Sequence, residues 1–302
     1  MIIFKNGHAL EYVVASGALG FDGKGYWPWE RPLVWCGLIK PEFFTVVTRT
    51  LTRHPCPGNL RWWKPLSCIR LIPGGSVNKV DLTNPGIDWW YQRVNPRLNH
   101  ERYPLVGSIS GTRRELIEMA DILNYEDVHL VGLEVNTSYP KTGHPMKSTE
   151  TTEAVIEMVK AVVEASRYPV IVKVSVDQDY CAIAEGLTDL AEAISLNSVP
   201  WKTIFPSSER SPLWKLEEKV GGGGGDVSGK PAQWKNWQAV RELAQQGALP
   251  VIGPSIMTFE DVARVRALGA RAVSFDAIHL RTPWRATSIV EAYMRLHACN
   301  LD

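Results

Sequence analysis

The stretch Thr151-Thr-Glu-Ala-Val-Ile-Glu-Met-Val-Lys-Ala-Val-Val-Glu-Ala-Ser166, followed by Pro169-Val-Ile-Val-Lys-Val-Ser175, changes period in its middle. Val155, Met158, Val159 and Val162 fall at the i, i+3, i+4 spacing of a helix with one buried face. Val170–Ser175 is a short, β-branched run, the pattern of a strand buried on both faces. A helix leading directly into such a strand is the repeat unit of a parallel sheet with crossover helices.

The unit recurs along the chain. Candidate strands are Tyr12–Ala15, Thr45–Thr50, Leu105–Ser110, His129–Asn136, Val170–Ser175, Ala193–Val199, Val251–Ile256 and Ala272–Ala277. Candidate helices include Thr112–Leu123, Thr151–Ser166, Cys181–Glu192, Trp234–Gln246, Phe259–Leu268 and Arg285–His297. Eight strands in 302 residues match a single α/β domain, a (β/α)8 barrel over residues 1–302. A doubly wound open sheet is the rival, but no Gly-x-Gly-x-x-Gly follows the first strand. Residues 53–100, rich in Pro, Trp and Arg, and residues 200–230, with five glycines at Gly221–Gly225, interrupt the repeat as loop regions. A glycine run is either a mobile linker or a place where backbone approaches a ligand.

Composition narrows the function. A net charge of +1 speaks against nucleic acid, and no apolar run reaches the roughly 18 residues of a membrane span. The opening Met1–Lys5 is too short for a signal peptide. Five scattered cysteines without a Cys-x-x-Cys read as reduced thiols in a cytoplasmic protein, and they offer no iron–sulfur cluster. The seven histidines show no metal-ligand pairing; His54 with Cys56 alone is a poor site, and no metal is expected. There is no phosphate-binding P-loop and no Gly-x-Ser-x-Gly elbow. Twelve tryptophans suit an aromatic-lined pocket, an interface or plain packing.

Nine short motifs then line up in order. They are Ala15-Ser16-Gly17; Thr48-Arg49-Thr50 with Pro57-Gly58-Asn59; Asn78 ahead of Leu82-Thr83-Asn84-Pro85-Gly86; Leu133–Pro140; Pro169–Ser175; Ile194–Ser198; Val227-Ser228-Gly229; Pro250–Gly253; and Gly269–Val273. In this series the chain resembles the soluble class of dihydroorotate dehydrogenases, flavin mononucleotide (FMN) enzymes on a (β/α)8 barrel. The resemblance runs from about Ala15 to about Ala277. It implies an oxidoreductase acting on a CH–CH bond of a small molecule, with hydride passing to FMN and a homodimer as partner. FMN would be held by Ala15, Ser16, Gly17, Arg49, Thr50, Asn78, Asn136, Lys173, Ser198, Gly225, Ser228, Gly229 and Gly253. Substrate would be held by Arg49, Asn78, Asn136, Lys141, Asn197 and Ser198. Lys173 would stabilise the anionic reduced ring. Taken by residue type alone, Lys173 at a strand's end is equally a Schiff-base nucleophile or an ion-pair partner, and each asparagine a turn residue.

Departures from the family fall on the chemistry. Tyr139 stands where the family's catalytic cysteine stands, with Lys141 and His144 following. The proton-transfer group is thus Tyr139 or His144. A phenol near pKa ~10 needs a neighbouring cation to act at neutral pH, and imidazole is better placed. Arg49 replaces a lysine, presenting a planar fork suited to a carboxylate, and Asp81 adds an anion, so a small unsaturated or heterocyclic acid other than orotate is expected. At the barrel's usual phosphate site, after strands seven and eight, the chain reads Gly253-Pro254-Ser255-Ile256 and Asp276-Ala277. Proline lacks an N–H, and a carboxylate at contact range repels a phosphate by up to ~4 kcal/mol at an effective dielectric of ~20. Compensation by Arg271, Arg281 or Arg285, an outward-pointing Asp276, nest-forming glycines or a different occupant are the possible resolutions. Two other functions follow from these changes: a flavin-free barrel that binds or regulates, and a lyase or isomerase using Lys173.

Overall fold

The computed structural model describes residues 1–61, 63–138, 151–206, 210–220 and 223–299, with side chains through Leu296. Eight parallel strands close a barrel: β1 (Tyr12–Val14), β2 (Thr45–Val47), β3 (Leu105–Ile109), β4 (Gly132–Asn136), β5 (Val170–Val174), β6 (Ala193–Leu196), β7 (Val251–Gly253) and β8 (Ala272–Phe275). They pair in chain order, and β8 pairs with β1 to complete the ring, Ser274 opposite Val13. This is the (β/α)8 barrel expected from the repeat.

The helices follow their sequence signals. Thr112 and Glu115 form a capping box on helix Arg113–Leu123, satisfying backbone donors that a helix start leaves open. Helix Thr152–Ala165 buries Val155, Met158, Val159, Ala161 and Val162, and Thr151 Oγ1 caps Ala154 N–H. Helix Tyr180–Gly186 is shorter than the reading over Cys181–Glu192, because the chain turns after it and Asp189 takes φ 62°. Helix Lys230–Gln246 starts four residues ahead of its predicted start, with Pro231 in its first turn.

Period-two alternation sorts the barrel interior into layers. At the N-terminal end Val13, Val47, Val106, Ile171, Ala193, Ile252 and Ala272 pack on Ile2, Phe4 and Leu10 from an N-terminal hairpin. This plug is apolar throughout. Two residues onward β3, β5, β6 and β8 present Ser108, Lys173, Ser195 and Ser274, and β4 adds Glu134, a polar layer above the plug. Two residues further stand Ser110, Asn136, Asn197 and Asp276, at the C-terminal mouth. One rule of geometry therefore carries each strand from core to site.

A second sheet flanks the mouth. Ile69–Ile72 and Gly75–Asn78 form a hairpin whose second strand, Gly75–Asn78, pairs with Asp226–Gly229, which in turn pairs with Val199–Pro200. The two-residue turn Pro73-Gly74 joins the hairpin, proline fixing one φ and Gly74 supplying φ 73°. Residues 53–100 thus contain ordered strands where the sequence suggested only loops. No described helix is long and apolar enough to cross a membrane.

Candidate active site

The C-terminal mouth holds a cleft enclosing about 1140 Å³ of atom-free space, counting the part open to solvent. Its walls bring together twelve of the residues singled out in the sequence: Ala15, Ser16, Gly17, Arg49, Thr50, Asn78, Asn136, Lys173, Asn197, Ser198, Ser228 and Gly229. They come from five barrel strand ends and from both central strands of the flanking sheet.

A chain of hydrogen bonds fixes the barrel side of this cleft. Ser16 Oγ donates to the Thr48 carbonyl at 2.9 Å and shares a hydrogen with Thr50 Oγ1 at the same distance. Thr50 Oγ1 also receives Asn136 Nδ2 at 3.2 Å and meets Ser108 Oγ at 2.9 Å. Ser108 donates to Glu134 Oε1 at 2.8 Å, and Ser195 reaches Glu134 Oε2 at 3.4 Å. Asn136 Oδ1 accepts from both the amide and hydroxyl of Ser138, whose oxygen receives Asn197 Nδ2 at 2.8 Å. Locked amides and hydroxyls of this kind hold a ligand's orientation at little entropic cost when it binds. Lys173, 6% exposed, projects from β5 with its ammonium 3.9 Å from Glu134.

Arg49 forms the opposite wall. Its Nε donates to the Thr83 carbonyl at 2.9 Å, and its guanidinium stacks 4.5 Å above the Tyr26 ring. Asp81 lines the cleft nearby with φ 61°, a left-handed backbone that aspartate and asparagine adopt more readily than most side chains. Gly225 and Gly253 were expected to hold a cofactor, but neither lines the cleft. A Cβ on Gly253 would lie 2.6 Å from Val265 and 2.9 Å from Ala270, so this glycine lets β7 approach helix Phe259–Ala267. Gly225, at φ 90°, lies where a Cβ would meet the Asn78 carbonyl at 2.7 Å; it permits the close backbone approach beside Asn78. Tyr139, Lys141 and His144 lie outside the described residues, as do Gly221 and Gly222.

Several lining residues carried no readable signal. Trp27 is one of the twelve tryptophans and lines the wall. Glu30 is fully buried there, its Oε2 accepting the backbone N–H of Tyr26 and Trp27 at 2.7 and 2.9 Å. Burial pushes its carboxyl up to about 7, against the opposing pull of those two hydrogen bonds. Asn236, Ser255 and His279 close the far end. Burial drives the His279 imidazole down to about 4, and neither ring nitrogen has a partner. Among the described residues no cluster of three or more metal-ligating side chains occurs.

The family model "Dihydroorotate dehydrogenase" matches residues 34–294, and the chain belongs to that family. It is 32% identical to the catalytic subunit of dihydroorotate dehydrogenase B (NAD(+)) of Desulforudis audaxviator, covering 92% of this chain and 85% of that protein. The corresponding subunit of Geotalea uraniireducens is 31% identical, over 82% of this chain and 78% of that one. A dihydroorotate dehydrogenase A (fumarate) of Lactobacillus helveticus is 29% identical, with the same coverage.

Proposed function

We propose that this chain is a flavin-dependent oxidoreductase that exchanges a hydride between FMN and a carbon of a small unsaturated or heterocyclic acid. The observation that carries the reading is the gathering of Ala15–Gly17, Asn136, Lys173, Asn197, Ser198, Ser228 and Gly229 on one cleft at the strand C-termini. A flavin ring suits that wall. Gly17, at φ 96°, and its small neighbours leave backbone exposed to a flat ligand, Asn136 and Asn197 offer amides, and Lys173 offers a buried cation. When bound, the flavin would supply the acceptor for hydride; protein residues bind, orient and exclude water. Lys173 would place positive charge against the ring, held by Glu134 behind it.

The acid is proposed to differ from orotate. Arg49 supplies a planar fork fixed by Thr83 and Tyr26, and Asp81 sets a carboxylate in the same cleft. A substrate must therefore offer an anion to Arg49 and a hydrogen-bond donor or uncharged edge towards Asp81. Tyr139 or His144 remains the proposed proton-transfer group, with Lys141 beside it. A homodimer is part of the same reading, and the largely exposed indoles of Trp35, Trp63 and Trp234 supply apolar surface for it.

The test is the visible spectrum of the purified protein, with mass spectrometry of what acid releases. A flavin spectrum is expected, as isolated or after incubation with excess flavin. A protein that stays colourless would overturn the reading in favour of a flavin-free binding barrel.

A further inference from the structure

A second space adjoins the cleft. It encloses about 1180 Å³, counting the part open to solvent, and is bounded by residues 52–59 after β2, the end of β3 and the turn carrying Asp81. Asp81 and Leu82 line both spaces, so the two meet at this pair.

The walls of the second space are polar and fixed. Glu115 Oε2 accepts from the Thr112 N–H and hydroxyl at 2.7 and 2.9 Å, which holds the carboxylate in the wall. Gly111 makes room for it, since a Cβ there would lie 2.9 Å from Glu115 Cβ. Asn59 gives its Nδ2 to the Lys79 carbonyl at 3.1 Å, which leaves its amide oxygen to offer. Ser110 is only 3% exposed and lines the same wall, and its hydroxyl makes no hydrogen bond among the described residues. No lysine or arginine stands among the described lining residues.

Charge therefore changes sign across the shared pair. On the cleft side stand Arg49 and Lys173; on the other are Asp81 and Glu115. Asp226, Asp81 and Glu217 all attract Lys79, which lines neither space. Arg49 and Asp81 also share one support. Arg49 Nε donates to the Thr83 carbonyl, and Thr83 Oγ1 donates to the Val80 carbonyl at 2.9 Å, so the guanidinium rests on the turn Val80–Thr83 that presents Asp81. A single small molecule spans both charges. An ammonium group only donates hydrogen bonds, and carboxylates, an amide oxygen and a hydroxyl oxygen all accept them. We propose that the substrate is a zwitterion, an acid held at Arg49 whose ammonium group passes Asp81 and Leu82 and is held by Asp81, Glu115 and the Ser110 hydroxyl. The inference rests on the acid proposed above for Arg49 and names its class, an amino acid with its two charges set apart.

Quenching of intrinsic tryptophan fluorescence in the full-length chain tests it, with Trp27 in the cleft wall as reporter. The probes are isonipecotate and cyclohexanecarboxylate, which differ in having a ring ammonium or a methylene opposite the carboxylate. Isonipecotate is expected to bind about tenfold more tightly, as a charge-assisted hydrogen bond provides. Asp81→Asn retains a side chain that tolerates the left-handed backbone and should bring the two affinities within about twofold of each other. Binding of cyclohexanecarboxylate by this variant reports that it is folded. Equal affinities in the parent, an unchanged ratio in the variant, or no response to either acid would overturn the assignment. The visible spectrum of the same sample is read separately: a colourless chain removes the flavin, whereas the ratio of the two acids decides the charge of the substrate.

Discussion

The carboxylate of Glu134 lies 3.9 Å from the ammonium of Lys173 inside the barrel, their side chains 4% and 8% exposed. Two strands meet in this pair, and the hydroxyls of Ser108 and Ser195 complete the carboxylate's surroundings. Glu134 therefore acts as a positioning residue, holding Lys173 at the cleft.

Removing one member of a buried pair leaves the other charge uncompensated, which typically costs ~3–5 kcal/mol. Glu134→Ala should lose stability in that range. Glu134→Gln should lose less, since its amide still bonds Ser108. Urea denaturation measures both; an alanine variant as stable as the parent would show that the pair does not hold Lys173.

Stability should fall as pH rises from about 4.5 to about 7. Glu30 and Asp226 are each pushed up to about 7 by burial. An unfolded carboxyl titrates near ~4.3. Across this window the native state keeps protons that the unfolded state has released, so raising pH favours unfolding. The contribution is present below the unfolded value and lost above the native one. Glu30→Gln should flatten the slope of unfolding free energy against pH, removing up to ~3 kcal/mol of pH dependence. An unaltered slope would assign the dependence to other groups.

Gly253→Ala should destabilise the fold by ~1–3 kcal/mol through overpacking, because the new methyl meets Val265 and Ala270. Flavin affinity should stay within about twofold of the parent's. A large loss of affinity with an unchanged melting temperature would return Gly253 to the binding site.

Arg49→Lys keeps the charge but loses the stack on Tyr26 and the fork geometry. With the substrate identified, KM should rise about tenfold to a hundredfold, with kcat little affected. A fall in kcat at constant KM would place Arg49 in the chemical step.

Much of this was legible because period does the work. Val170–Val174 and most of its counterparts announce themselves by short apolar runs, and on several strands the residues two and four places beyond an inward apolar one fall in the polar layer and then at the mouth. Predicted strands overran their ends at Thr48–Thr50, Pro254–Ile256 and Asp276-Ala277, where the chain leaves the ladder to build the cleft wall. The hairpin at Ile69–Asn78 was missed although Pro73-Gly74 marks its turn, because the dense Pro and Trp around it masked a period too short to count. Glu30 and His279 left no trace in pattern. Their roles come from burial by segments distant in sequence, and a single glutamate or histidine has no period to read.

Closure of β1 on β8 has a consequence for biosynthesis. The strand beginning at Tyr12 leaves the ribosome about 260 residues before its neighbour at Ala272. Until then its outer edge stays open, a contact of very long sequence separation that forms late. The cleft's far wall, with Asp276 and His279, is completed by that same final strand and the turn of helix after it. No ligand can be fully enclosed by a nascent chain, and premature termination before Ala272 yields an open, edge-exposed sheet prone to association.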